Sequence, residues 1–202
     1  MKKFSVSGSI GKAFLFVVFF TILTGFIYTS VLTGIAQVLF PHQANGSVIE
    51  VDGKTYGSEL LPQQFTKPGY LWGRPMLLDL GSFSNNDKPA MYAWASNKSP
   101  AGADVDALAK ARIEELLKAD PSMKGVPVPV DLVTVSGSGL DPEISPEAAE
   151  YQVHRIALAR GISEDEVREV IKKYTSGKWL GLFGNPRVHV LKVNLTLDGV
   201  LK

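Results

Sequence analysis

The 202-residue chain holds 21 Lys+Arg against 20 Asp+Glu, has no cysteine, and is 45% hydrophobic. The lack of cysteine excludes a disulfide framework and any thiolate metal or redox site. The even charge excludes the basic footprint that nucleic acid or an anionic lipid surface would attract.

The first twelve residues carry Lys2, Lys3 and Lys12, and residues 13–40 that follow have no charged side chain. Seventeen of those 28 residues are Leu, Ile, Val or Phe. As a helix the stretch would run roughly 42 Å, longer than a hydrocarbon core of about 30 Å. Its apolar side chains favour insertion by about 5 to 10 kcal/mol. A cleaved signal peptide is the rival reading, with Gly34-Ile35-Ala36 as a small-x-small site. The apolar run is longer than the roughly 7 to 15 residues of a signal h-region, which favours a retained anchor. Charge bias then predicts a cytoplasmic N-terminus (1–12), a transmembrane helix (13–40) and an extracytoplasmic domain (41–202), placing the protein in the cell membrane as a single-pass chain. That domain has 18 Lys+Arg against 20 Asp+Glu, and its 162 residues suit one core.

Thr21, Gly25, Thr29 and Thr33 recur at every fourth position of the span, a stripe of small residues against which another membrane helix could pack. Beyond Pro41, Val48 to Tyr56 around Asp52-Gly53 reads as a hairpin. Residues 57–100 are dense in Gly, Pro, Asn and aromatics and read as loops and short strands. A helical period runs from Asp104 to a stop before Pro121, and Val128 to Val135 is rich in strand formers. Ser145-Pro146 opens a helix expected to continue to Gly161, and Ser163-Glu164-Asp165-Glu166 is a capping box for the next. Alternation of Leu191, Val193, Leu195 and Leu197 with Lys192, Asn194 and Thr196 predicts a half-buried closing strand. The expected fold is α+β: one N-terminal transmembrane helix, then a single domain with a small, mostly antiparallel sheet and about three helices.

Chemistry is sparse. His42, His154 and His189 are far apart with no spaced second ligand, so no metal site is expected. Gly137-Ser138-Gly139 has the wrong spacing for a nucleophile elbow. Neither a Walker A sequence nor a GxGxxG after a strand is present. Sequons stand at Asn45, Asn97 and Asn194.

Four blocks are diagnostic: Phe40-Pro41-His42-Gln43-Ala44-Asn45-Gly46-Ser47, Gly57-Ser58-Glu59-Leu60-Leu61-Pro62-Gln63-Gln64-Phe65, Gly69-Tyr70-Leu71-Trp72-Gly73-Arg74-Pro75, and residues 133–146 (VTVSGSGLDPEISP). With the closing Val193-Asn194-Leu195-Thr196-Leu197-Asp198, they make the chain resemble, over essentially its whole length, the KdpC family: the C subunit of the bacterial potassium-transporting P-type ATPase, the Kdp complex. The resemblance implies a non-catalytic accessory subunit of an ATP-driven high-affinity potassium importer. Its partners would be a channel-like potassium-binding subunit, a P-type ATPase subunit and a small single-helix subunit. It also implies a role in assembly and as a catalytic chaperone that raises the ATPase subunit's affinity for ATP, with potassium as the transported ion and no tightly bound cofactor. Gln63 is the first candidate for a nucleotide contact, since an amide beside a turn can bond a ribose or phosphate. The predicted topology puts the domain on the side away from ATP, which favours an effect transmitted through membrane helices. A membrane-anchored external enzyme and an anchored solute-binding module are the other classes.

Overall fold

A computed structural model describes residues 6–79, 84–85, 88–89, 92–99 and 102–202. It divides between Val48 and Ile49 into two units. The first is almost entirely helix: α1 (Val6–Phe20), a π-helical stretch Thr21–Tyr28, and α2 (Thr29–Leu39). The 31 residues from Ser9 to Leu39 are long and apolar enough to cross a membrane. Their side chains are exposed along nearly the whole length, as a lipid-facing helix requires. Phe40 leaves helical geometry at φ −136°, and Pro41 opens the single turn α3 (Pro41–Ala44). Asn45 closes it, its Nδ2 donating to the Pro41 carbonyl at 2.7 Å and to Gln37 Oε1 at 3.1 Å.

The second unit mixes helices with small antiparallel sheets. Strands β1 (Val48–Val51) and β2 (Lys54–Ser58) pair through a turn in which Asp52 (φ 52°) and Gly53 (φ 74°) are both left-handed, the geometry that suits a two-residue hairpin. Strand β3 (Leu77–Asp79) pairs with β6 (Tyr92–Trp94), and β4 (Ser84–Asn85) with β5 (Lys88–Pro89). Helix α4 (Ala103–Ala119) follows. Next come β7 (Glu143–Ile144), α5 (Pro146–Glu150), α6 (Val153–Arg160) and α7 (Glu164–Lys173). The chain ends with β8 (Thr175–Ser176), β9 (Arg187–His189) and α8 (Val190–Leu197). Strands β7, β9 and β8 form a three-stranded sheet with β9 central.

The main core gathers Leu71 and Trp72 with Leu132, Ile156, Val167, Val188 and Val193. A second cluster of Ile49, Leu191 and Leu195 lies under the β1–β2 hairpin, so α8 contributes to both.

Several expectations are revised. The single sheet is replaced by separate two- and three-stranded ones, and the about three helices by five, α4 to α8, among the described residues of this unit. Val128–Val135 is not a strand but a turn of 3₁₀ helix at Val130–Leu132. Pro127 and Pro129 remove ladder donors, and Leu132 alone is fully buried. The helix expected from Ser145 to Gly161 breaks at Tyr151-Gln152, where the Gln152 side chain accepts from the Trp72 amide instead of facing solvent. The closing strand is helix α8, capped by His189. Its buried residues Val190, Leu191, Val193, Asn194 and Leu195 trace a helical stripe, and Asn194 belongs to the dry face.

Candidate functional site

The stripe residues Thr21, Gly25, Thr29 and Thr33 all lie on one continuous helix and are exposed. Thr21 and Gly25 fall in the π-helical stretch, Thr29 and Thr33 in α2. On a regular α-helix, positions four apart advance past a full turn, and twelve residues would carry the stripe roughly 120° around the axis. The wider π turn takes more residues per revolution and cancels part of that drift, which holds the small residues closer to one line. Of the stripe hydroxyls, Thr29 Oγ1 donates to the Thr24 carbonyl at 3.1 Å, and beside the stripe Thr24 Oγ1 donates to the Phe20 carbonyl at 2.6 Å. A Cβ added at Gly25 meets nothing within 4 Å. The face is open and has room for a neighbour.

Gln63 borders a pocket of about 600 Å³ walled by α4 on one side and by residues 73–76 and 133–135 on the other. Its Nε2 donates to the Tyr56 carbonyl at 2.6 Å, which ties the loop after β2 back onto that strand. The amide occupies the space a side chain would need at Gly57, where an added Cβ would lie 2.0 Å from Nε2 and φ is 134°. That is the physical reason for a glycine there. The pocket's cations are committed. Arg74 donates to the Thr134 and Val135 carbonyls at 3.3 and 3.2 Å and lies 3.8 Å from both Asp131 and Asp141. Lys98 pairs with Asp104 at 2.7 Å, and Arg112 with Glu115 at 2.5 Å. All three cations lining the pocket therefore already have acidic partners.

A buried polar lattice was not anticipated from the sequence. Lys67 to Tyr70 form a turn closed by the Tyr70 N–H donating to the Lys67 carbonyl at 3.2 Å, and at Leu71 and Trp72, which follow without a strand partner, two amide side chains take the place of neighbouring strands. Asn194 accepts from the Leu71 N–H at 2.7 Å and donates to its carbonyl at 2.9 Å. Gln152 does the same for Trp72, at 2.8 and 3.0 Å, from the opposite side. The buried Arg155 guanidinium donates to Gln152 Oε1 at 2.6 Å and to the Tyr70 carbonyl at 3.1 Å, and stacks 4.2 Å over the Trp72 ring. Burial pulls its pKa down to about 10. Arg160 adds bonds to the Gly69 and Leu197 carbonyls and an ion pair with Asp198 at 2.8 Å. Tyr70 donates to Asp198 at 3.0 Å.

Ser122, His154 and Asp120 also meet, but not as a nucleophile, base and orienting acid. Both Ser122 Oγ (3.2 Å) and Asp120 Oδ2 (3.0 Å) address the same ring nitrogen, His154 Nδ1. A hydrolase triad would place them on opposite ring nitrogens. Asp120 instead caps the 3₁₀ turn Pro121–Met123 through the Ser122 N–H. His189 Nε2 faces the Glu59 carbonyl at 3.0 Å and so carries the proton, while Nδ1 accepts from the Lys192 amide; burial holds its pKa below the ordinary value. Ser136 and Ser138 hydroxyls lie 3.4 Å apart, and Ser138 accepts from the Leu140 amide within a turn. No group of three or more His, Asp or Glu able to hold a metal ion occurs among the described residues.

Three of the signature blocks thus meet in space. Gly69–Pro75 joins Val193–Asp198 through Leu71 and Asn194, and joins residues 133–146 through Arg74. The family model described as K+-transporting ATPase, c chain, matches residues 10–199. The chain belongs to the KdpC family. A Clostridium perfringens protein named potassium-transporting ATPase KdpC subunit is 55% identical over 194 residues, covering 96% of this chain and 98% of its own. KdpC subunits so named from Sorangium cellulosum and Methylococcus capsulatus are 50% and 46% identical, covering 88% and 93% of this chain and 90% and 96% of their own. A KdpC chain is by its name one part of a K+-transporting ATPase, which implies further subunits, and its apolar N-terminal helix fits a membrane location.

Proposed function

We propose that this chain is the non-catalytic accessory subunit of an ATP-driven potassium importer. Its helix packs among those of the channel-like potassium-binding subunit, the P-type ATPase subunit and the small single-helix subunit, and its folded unit lies on the outer side of the membrane. The observation that carries this reading is the uncharged run 13–39 of the helix Ser9–Leu39, with Lys2, Lys3 and Lys12 before it and a folded unit of near-neutral charge after it. Any effect on ATP affinity is then indirect. Two helix arrangements that the ATPase subunit experiences differently suffice, provided this subunit favours one of them. The committed cations around Gln63 support the indirect route.

The test is assembly. A tagged chain coexpressed with the three other subunits should retain them through detergent purification, with potassium-stimulated ATPase activity in the eluate. Purification of the tagged chain alone, with full activity in the untagged remainder, would sink the subunit reading and leave an anchored enzyme or solute-binding module.

A further inference from the structure

Beyond β8 the chain extends past its sheet into a tight apolar tip. The side chains of Trp179, Leu180, Leu182 and Phe183 are 69, 71, 79 and 60% exposed. Such grouping is unlike the single apolar residues scattered over an ordinary surface. Trp179 and Phe183 pair across the tip with ring centroids 5.8 Å apart. Between Tyr174 and Arg187, Lys178 is the single charged residue.

Three features of the tip point the same way. First, its backbone bonds to itself: Trp179 N–H donates to the Phe183 carbonyl at 2.8 Å, and the amides of Leu182 and Phe183 donate to the Trp179 carbonyl at 3.1 and 3.0 Å. Internal satisfaction is what an apolar solvent demands of a chain entering it. Second, Leu180 sits at φ 52°, a left-handed conformation that costs a leucine about 1 to 2 kcal/mol and that glycine or asparagine would adopt more cheaply. The exposed Leu180 side chain gains little burial within the domain to offset that cost, and it is free to be buried against something outside it. Third, a tryptophan beside leucines and phenylalanine is the composition that settles at a membrane–water interface.

We infer that the β8–β9 tip is a second membrane contact, which seats Trp179, Leu180, Leu182 and Phe183 in the interface of the bilayer that the N-terminal helix enters. The ligand is the acyl and glycerol zone of a phospholipid, engaged by apolar burial and not by headgroup charge. The inference rests on the membrane attachment proposed above.

The full chain is reconstituted in phosphatidylcholine vesicles with and without brominated acyl chains, and the Trp179→Phe variant is subtracted to isolate the Trp179 emission. The expected result is that shallow brominated lipid quenches this emission, acrylamide does not, and Leu182→Asp reverses both. Leu180→Gly should weaken the lipid quenching while leaving the thermal midpoint unchanged or higher, which a purely structural residue would not do. Acrylamide access without lipid quenching overturns the inference. Shielding that appears only when the other subunits are co-reconstituted also overturns it and makes the tip a protein-docking element. Vesicle flotation separates the two readings: a chain that floats with Trp179 unquenched keeps its anchor and loses this contact. A chain that does not float removes the attachment and the inference together.

Discussion

Asn194 opens an N-x-Thr sequon, yet its side chain is 1% exposed and both ends of its amide are spent on Leu71. Replacing it with leucine keeps the volume and strands one donor and one acceptor in a dry core. Each such group costs about 1–3 kcal/mol, so Asn194→Leu should destabilise the chain by about 2–6 kcal/mol in detergent-solubilised urea unfolding. A loss below about 0.5 kcal/mol would mean that water reaches Leu71. The His154–Asp120 pair makes a pH prediction. Burial works to raise the Asp120 carboxyl, but bonds from Ser122 and His154 together hold it below its ordinary value; Asp120 holds the His154 imidazole above its own. A raised histidine gives stability that is complete below its unfolded pKa of about 6.5 and is lost as pH rises through the folded value. A depressed carboxylate gives stability present above its unfolded value of about 3.9 and lost in acid. The two contributions overlap at mildly acidic pH. His154 therefore lowers the thermal midpoint as pH rises through its raised pKa, while the buried His189, held below its ordinary value, works in the opposite sense, so His154→Gln should shift the slope of midpoint against pH upward above about pH 6.5. An equal slope in both proteins would exclude His154 as its source.

At the scale of elements, what could be read was what local chemistry fixes. The Ser163–Glu166 capping box is present in full, with Glu166 N–H to Ser163 Oγ at 3.2 Å and Ser163 N–H to Glu166 Oε2 at 2.8 Å. The Asp52-Gly53 hairpin is there for the same reason, since only a left-handed pair closes it. Helix α8 was misread because Asn194 and Lys192 both look like wet-face residues, and only the partner 123 positions away tells them apart. The break at Gln152 and the strandless course of Leu71-Trp72 have the same cause: amide-to-backbone pairs between distant segments leave no periodicity to read. The π-helical stretch also lacked a signal, though it bears on the small-residue stripe. A Cβ added at position 25 meets nothing within 4 Å in the chain itself, and leucine favours insertion over glycine. Gly25→Leu should therefore reach the membrane in wild-type amount, while the potassium-binding and ATPase subunits no longer co-purify with it, because close backbone approach is what drives association in lipid. Phe19→Leu, off the stripe, should have little effect. An intact complex carrying Gly25→Leu would show that another face or the folded unit holds the assembly.

For the whole molecule, the side of the membrane on which the folded unit lies decides whether its residues can reach a cytoplasmic nucleotide at all. The sequence carries that information in three lysines, since an uncharged helix inserts equally well in either direction and only the flanking charge breaks the symmetry. The chain lacks cysteine, so a single one can be placed and read without background. Lys124 is exposed in the turn after α4, between helices that its side chain does not support. In intact cells, or in spheroplasts where an outer membrane intervenes, Lys124→Cys should react with an impermeant maleimide, and Ser9→Cys should react only after lysis. With that result, Gln63→Ala should leave the ATP dependence of the assembled complex unchanged, because the Gln63 amide braces β2 through Tyr56 on the side away from nucleotide. The reverse labelling pattern would put the folded unit in the cytoplasm. The pairs Lys98–Asp104, Arg112–Glu115 and Arg74 with its two carboxylates would then be the first contacts to probe, since a nucleotide could enter beside Gln63 only by displacing them.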